Sequence, residues 1–129
     1  MATSILAGQW RARALLALCL LAAGNWAQAG IVIRAGECSA KAFINGSGVL
    51  ADGDNIQGLS VNCVDATSDV SKFRQYLDGI TGYNSYCVGT TVAVGKAGGK
   101  LQADAVQGNR YHCLLAGKAS KLAQALGKH

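Results

Sequence analysis

Short apolar runs, separated by glycine and asparagine, follow one another from residue 31 onwards. The runs at 31–33 and 41–44 are rich in Ile, Val, Ala and Phe, and such short apolar runs predict β-strands. Asn45-Gly46 lies directly after the second run. This dipeptide is typical of a two-residue β-hairpin because both residues accept positive φ. It predicts that residues 41–44 pair with the next apolar run, 49–51.

A second turn and a longer strand follow. The cluster at 52–55 contains two Asp, one Gly and one Asn, and it predicts a turn. A calcium loop is the alternative, but the EF-hand pattern requires an oxygen-bearing side chain and a Glu where Ile56 and Val61 stand. Residues 56–63 predict a broken strand, in which Gly58 is expected to form a β-bulge.

The clearest helical pattern in the chain follows residues 67–69. Thr, Ser and Asp at these positions are typical of helix N-termini, and Gly79 is typical of a helix end. Between them, apolar residues recur at intervals of three, four and three, so they line one face of a predicted helix. These residues are Val70, Phe73, Leu77 and Ile80.

More strands and a second helix are predicted farther along the chain. β-branched residues share one face between 86 and 94, and apolar residues alternate with polar ones at 101–105. Another apolar run occupies 111–115, and Leu and Ala residues at helical spacing predict a helix over 120–126. Together these elements predict an α+β fold, with a small antiparallel sheet and one or two amphipathic helices on one face.

The first twenty-nine residues differ from the rest of the chain because they contain no Asp or Glu. Arg11 and Arg13 precede an apolar run at 14–23, and Ala-Gln-Ala stands at 27–29. A positive region, a short apolar region and small residues at a cleavage site are typical of a secretory signal peptide. The apolar run is shorter than the ~20 residues of a transmembrane helix. We therefore expect a cleaved signal peptide, one mature domain at 30–129, and a periplasmic or extracellular location.

Cleavage would remove Cys19 and leave four cysteines: Cys38, Cys63, Cys87 and Cys113. In a short exported chain, an even number of cysteines predicts a disulfide framework. Three pairings are possible. We expect Cys38–Cys63 and Cys87–Cys113, because a hairpin near Ala97 would bring the last two together. Each bridge would close a loop of about 25 residues, for which chain entropy predicts roughly 3–4 kcal/mol.

Charge and motif content argue against several chemistries. Without Arg11 and Arg13, ten Lys and Arg stand against seven Asp and Glu, a net charge of about +3, and both signs are interleaved. Such a surface has no strong field for a polyanion. No phosphate-loop, G-x-S-x-G or C-x-x-C motif occurs, and two His with one Glu are too few for a three-His zinc site. We expect no metal, no cofactor and no nucleic-acid partner.

His112 and Arg110 are the best catalytic candidates. A histidine can act as a general acid or base near neutral pH, and a neighbouring arginine can stabilise an anion. If Tyr111 and Cys113 face the core, strand alternation places His112 on the opposite face. An ordinary surface histidine is the alternative. A Ser–His–Asp set could also be assembled from His112, Asp104 and one of several serines, but no motif supports it.

Two segments are candidates for a contact surface: the loop with Tyr83, Asn84 and Tyr86, and the turn with Lys96 and Lys100. Because no coherent catalytic set is present, the sequence favours a non-enzymatic protein that acts as a binding, inhibitory or envelope-associated module. Its partner would be a protein or a cell-envelope component. The alternative is a small secreted hydrolase or nuclease-like toxin that uses His112.

Overall fold

The computed structural model of the protein describes residues 30–129, and the predicted signal peptide at 1–29 lies outside this part of the chain. The strands are β1 (Ile31–Ala35), β2 (Leu50–Asp52), β3 (Asn55–Val64), β4 (Tyr86–Thr90), β5 (Lys100–Ala103), β6 (His112–Lys118) and β7 (Gly127–Lys128). The helices are α1 (Ala40–Ile44), a 3₁₀ helix (Val70–Tyr76), α2 (Thr91–Lys96) and α3 (Ala119–Ala125).

All seven strands belong to one antiparallel sheet. Its order is β5-β6-β3-β1-β4-β7, and β2 pairs with the beginning of β3. Strands β3 and β1 are central, and β3 is the longest at 10 residues. The predicted α+β class with a small antiparallel sheet and two disulfides is confirmed.

Apolar side chains pack against both faces of the sheet, and different helices supply them on each face. On the helical face, Phe43 of α1, Val94 of α2 and Leu122 of α3 pack with the strands in the larger core cluster. On the opposite face, which we call the loop face, Phe73 of the 3₁₀ helix packs on β1 and β4 in a smaller cluster. The three α-helices thus share one face, whereas the helix predicted after residues 67–69 lies on the opposite face from the helix predicted at 120–126.

The cysteine pairing differs from the prediction. Cys38 is bonded to Cys87, and Cys63 to Cys113, with Cα–Cα distances of 5.4 and 5.9 Å. The predicted pairing is wrong because β4 pairs with β1 and not with β5. Cys87 therefore lies beside the end of β1, close to Cys38. Cys63 and Cys113 lie on neighbouring strands, β3 and β6.

Two predicted strand segments form helices because a hydroxyl caps each of them. Ser39 Oγ accepts a hydrogen bond from the Ala42 amide at 3.1 Å and starts α1, where residues 41–44 were predicted as a strand. Thr90 Oγ1 accepts from the Ala93 amide at 3.0 Å and starts α2, so the predicted strand at 86–94 ends at Thr90. A Ser or Thr that bonds the third amide after it is a typical N-cap.

The predicted hairpin at Asn45-Gly46 is also wrong. Since the preceding residues are helical, β2 has no strand before it to pair with, and it pairs forward with β3. The turn between β2 and β3 is the Asp-rich cluster at 52–55, which was predicted as a turn. The expected bulge at Gly58 is confirmed, because the pairing of β3 with β6 shifts register between Ile56 and Leu59 and Gly58 has φ 76°.

The helical stripe predicted after residues 67–69 packs as expected but is wound more tightly. The segment forms a 3₁₀ helix that ends at Tyr76, and Asp69 caps it through the Ser71 amide at 3.0 Å. Phe73 is buried. The other members of the stripe, Val70, Leu77 and Ile80, are partly buried against the loop-face cluster.

Asp54, in the β2–β3 turn, caps helix α3. Its carboxylate accepts from the Ser120 amide at 2.9 Å and from Ser120 Oγ at 2.5 Å. These bonds, the hydroxyl bond first, lower the pKa of Asp54 below its ordinary value of 3.8. A lowered folded-state pKa means that the ionised cap stabilises the fold above the ordinary carboxyl pKa and loses its effect as pH falls through the folded-state pKa.

We therefore expect Asp54→Asn to lower the thermal unfolding midpoint at neutral pH. The difference from the unsubstituted protein should shrink as the pH falls below about 3.8, the ordinary pKa of the group. Calorimetry of both proteins between pH 2 and pH 7 measures this, and Asp65→Asn at an exposed position is the matched control. A difference that stayed constant across the whole pH range would show that the Asp54 carboxylate is not the titrating cap.

Candidate functional site

Part of the loop face is not covered by the 3₁₀ helix and its cluster. Val61, Cys113 and Leu115 belong to the core on the helical face, so alternation turns their neighbours on β3 and β6 to the loop face. We call the exposed and half-buried side chains there the open face. They are Leu50, Gln57, Ser60, Lys100, Gln102, His112, Leu114 and Ala116.

Three hollows adjoin the open face. The His112 cavity, of about 260 Å³, is lined by Ile33, Arg34, Ala35, Ser60, Val61, Asn62, Ile80, Tyr83 and His112. The Leu114 groove, of about 330 Å³, lies between Leu50 and Gln102 and includes Lys100. The Leu50 groove, of about 520 Å³, shares Leu50, Gln57, Lys100 and Ala116 with it.

The His112 cavity exists because one edge of β3 is only partly paired. On this edge β3 pairs with β2 through residues 55–57 and with β1 through residues 62–64. The four residues between, 58–61, have no strand beside them on that edge. The Arg34 side chain takes this place, and its Nη1 donates a hydrogen bond to the Ser60 carbonyl at 2.7 Å.

Arg34 is half-buried at this position. Desolvation lowers the pKa of its guanidinium below the ordinary value, and a smaller Coulombic interaction with Tyr83 acts in the opposite direction. Within residues 30–129, no carboxylate lies within 4.0 Å of the guanidinium. Arg34 thus lines the cavity, and its guanidinium makes a single hydrogen bond, from one of its five N–H groups.

His112 is held by Asp104. Its Nδ1 lies 3.0 Å from the Asp104 carbonyl oxygen and 3.2 Å from Asp104 Oδ2, and its side chain is only 18% exposed. Two oxygens at Nδ1 favour the tautomer with a proton there, which leaves Nε2 as the ring nitrogen open to a ligand. The Asp–His pair is the arrangement that orients a general base, but no Ser hydroxyl is hydrogen-bonded to His112 in the described chain.

The other predicted catalytic residue lies outside the cavity. Arg110 forms an ion pair with Asp78, with Nε 3.3 Å from Oδ2, and its guanidinium stacks over the Tyr111 ring at 4.8 Å. Tyr111 packs with the loop-face cluster and Cys113 with the helical-face cluster. Tyr111 and Cys113 therefore do not share a face of the sheet. His112 does lie on the face opposite to that of Cys113, as expected.

The predicted contact residues are divided between surface and core. Tyr83 is 57% exposed and lines the His112 cavity, and Asn84 beside it is exposed. Tyr86 is only 3% exposed, since its hydroxyl donates to the Ile80 carbonyl at 2.8 Å and accepts from the Tyr83 amide at 3.3 Å. Tyr86 is thus a buried residue that holds the loop between Ile80 and Tyr83 through these two bonds, and it is not available as a contact residue.

The two predicted lysines are also separated. Lys100 lines both the Leu114 groove and the Leu50 groove. Lys96 is exposed in the last turn of α2 and lines none of the three hollows.

Sequence reasoning missed Arg34, Ser60 and Asn62. Asn62 is fully buried, and its Nδ2 donates to the carbonyls of Tyr76 (2.9 Å) and Asp78 (3.0 Å). Asn62 thereby fixes the loop that bears Ile80 and Tyr83 beside the cavity. Two signals were available: an arginine directly after a fully apolar run, and a lone asparagine inside an apolar strand.

Comparison with known proteins supplies no relative. No protein-family model matches the chain, and no curated protein or solved structure is significantly similar to it.

Within residues 30–129, none of the helices has the length and hydrophobicity of a membrane span. In the same part of the chain, no three His, Cys, Asp or Glu side chains are grouped so that they could hold a metal ion.

Proposed function

We propose that the protein is an exported, non-enzymatic binding module that holds an extended, acidic segment of a partner protein on its open face. The observation that carries this proposal is that the His112 cavity, the Leu114 groove and the Leu50 groove all adjoin the open face. Lys100 and Arg34 supply charge to the Leu114 groove and the His112 cavity, and no carboxylate lines either of them. Export rests on the predicted signal peptide and is supported by two disulfides, which persist in oxidising compartments.

The lining of the open face favours a peptide over a nucleic acid. Leu50, 72% exposed, and the half-buried Leu114 and Ala116 offer apolar contacts that suit alternate side chains of an extended peptide. Single-stranded nucleic acid needs exposed aromatic platforms. Tyr83 is the one aromatic side chain among the large exposed hydrophobic residues of this part of the chain.

Acidic peptides should bind the disulfide-bonded protein, and Lys100→Glu should weaken that binding about tenfold or more, since it puts a like charge in the groove. Lys121→Glu is the matched control, because Lys121 is exposed on α3 and lines none of the three hollows. Fluorescence anisotropy with a Glu-rich decapeptide, its Gln-rich counterpart and a thymidine decanucleotide measures the preference. Equal losses in both variants, or binding of the oligonucleotide alone, would overturn the proposal.

A second function, hydrolysis, is favoured by one observation: the Asp104–His112 pair beside a cavity. In this alternative His112 is the general base of a small secreted hydrolase or nuclease-like toxin. Its predicted partner Arg110 is engaged by Asp78 instead. Turnover of RNA or of an ester by the protein, lost in His112→Asn while peptide binding persists, would favour the enzyme.

A further inference from the structure

The most unusual charge in the described chain is the guanidinium of Arg34. It is half-buried and makes one hydrogen bond, to the Ser60 carbonyl, and no carboxylate of residues 30–129 neutralises it. Removing a cation from water is costly unless an anion compensates it. Arg110, whose side chain is 73% exposed, has such a partner in Asp78 although it needs one less.

Hydrogen-bond donors surround the same cavity. Ser60 and Tyr83 line it, and neither of their hydroxyls makes a hydrogen bond to another side chain or to the backbone between residues 30 and 129. Asn62 also lines it, but its amide is fully used by Tyr76, Asp78 and Asn109. The groups open to a ligand are therefore a guanidinium, two hydroxyls and the Nε2 of His112, which donates when the ring is protonated.

We propose that the His112 cavity is a receptor for a single carboxylate group, held chiefly by Arg34 with Ser60 and Tyr83 as further donors. This inference rests on the proposed function, because it names the group of the acidic segment that the module recognises. A guanidinium binds the two oxygens of a carboxylate through paired N–H groups. One permanent cation lines the cavity, so a singly charged carboxylate matches its charge better than a doubly charged phosphate does.

The position of Arg34 is prepared by its surroundings. The bond from Nη1 to the Ser60 carbonyl holds one side of the guanidinium against β3. On the other side, Gly46 after α1 leaves room for it, because a Cβ at Gly46 would lie 3.1 Å from Arg34 Nη2. A guanidinium that is already oriented loses less side-chain entropy when it binds an anion.

The test uses the disulfide-bonded protein and follows the Arg34 Nε–Hε signal by NMR during titration with sodium acetate, with sodium chloride at equal ionic strength as the reference. We expect a saturable shift of this signal in the unsubstituted protein. Arg34→Met lacks this signal, so its titration is followed through the backbone amides of Ser60 and Tyr83, which should no longer shift with acetate. Tyr83→Phe should weaken acetate binding several-fold. Arg74→Met is the matched control, because Arg74 is an exposed arginine that stacks on Phe73 outside the cavity. Tyr83→Phe keeps the test valid if Arg34→Met fails to fold, since Tyr83 is exposed.

Two comparisons identify the ligand class and separate this inference from the proposed function. Inorganic phosphate that shifts the Arg34 signal where acetate does not would overturn the carboxylate assignment. The assignment would also be overturned if acetate shifted no NMR signal. The same holds if acetate shifted only signals of distant residues, and did so equally in Arg34→Met and in the unsubstituted protein. If acidic peptides still bind and Lys100→Glu still weakens them, the proposed function stands without this inference. If acetate binds at Arg34 and acidic peptides do not, the site stands and the proposed function fails.

A free carboxylate metabolite and a peptide carboxylate are distinguished in the same titration. Glutamate presented within a blocked peptide should bind more tightly than acetate, because the Leu114 groove adds apolar contacts. Binding of acetate and of the blocked peptide with equal affinity would assign the cavity to a small metabolite and remove the link to a partner protein.

Discussion

Replacement of Cys63 and Cys113 together by alanine should lower the free energy of unfolding by about 4 kcal/mol. The bridge joins residues 50 positions apart, and chain entropy gives this value for a loop of that length. A domain of this size is stable by only ~5–15 kcal/mol, so the loss is about a quarter or more of its total stability. Urea unfolding of the variant and of the unsubstituted protein measures the loss.

The second bridge provides the matched comparison. Cys38–Cys87 spans 49 residues, so Cys38→Ala with Cys87→Ala should lose about as much. The two loops overlap between residues 63 and 87, so each bridge still restrains part of the other's loop. We therefore expect the loss on full reduction to exceed the sum of the losses in the two double variants. A loss below about 1 kcal/mol in either variant would contradict a structural role for that bridge.

The pairing itself can be read from a tryptic digest under non-reducing conditions. Each cysteine falls in a separate peptide, at 35–41, 42–72, 75–96 and 111–118. The structure predicts that 35–41 is linked to 75–96 and that 42–72 is linked to 111–118. The pairing expected from sequence would instead link 35–41 to 42–72. Mass spectrometry before and after reduction distinguishes the two.

Local patterns in the sequence predicted much of the fold because local physics controls those elements. Strand β1, the turn at 52–55, the Gly58 bulge and helix α3 follow from apolar runs, turn residues and helical spacing. The helices α1 and α2 were missed although Ser39 and Thr90 are ordinary N-cap residues. In both places short β-branched or aromatic segments predicted strands. In the structure, the N-cap residue starts a helix instead.

Long-range pairing could not be predicted from the same patterns. Sheet order places β1 between β3 and β4, and no local feature of these strands specifies that neighbourhood. The disulfide pairing follows from that order, so it was wrong for the same reason. The His112 cavity depends on where β1 stops pairing with β3, at Ile33, and on Arg34 filling the gap. His112, Tyr83 and Lys100 were recognisable by residue type, whereas their grouping around Arg34 was not.

Asn62→Ala should have the second large effect, a loss of about 3–4 kcal/mol of unfolding free energy, since each buried polar group left without a partner costs about 1–3 kcal/mol. The Asn62 side chain joins the sheet to the loop through the carbonyls of Tyr76 and Asp78, and its Oδ1 accepts from Asn109 Nδ2 at 2.8 Å. The alanine variant leaves the buried Asn109 amide and two partly buried carbonyls without these partners. Asn62→Asp should be worse, because a carboxylate oxygen would then face two carbonyl oxygens.

The same substitution links stability to the candidate site. Without the Asn62 bonds, the loop that bears Ile80 and Tyr83 loses its attachment to β3, so amide hydrogen exchange between residues 76 and 86 should accelerate more than in the rest of the sheet. Acetate binding at Arg34 should weaken as Tyr83 moves. Asn84→Ala is the control, since an exposed asparagine without such bonds should change stability by less than about 0.5 kcal/mol. Faster exchange confined to residues 76–86 would show that Asn62 positions the loop that lines the cavity. Equal acceleration across the whole sheet would show that Asn62 only stabilises the core.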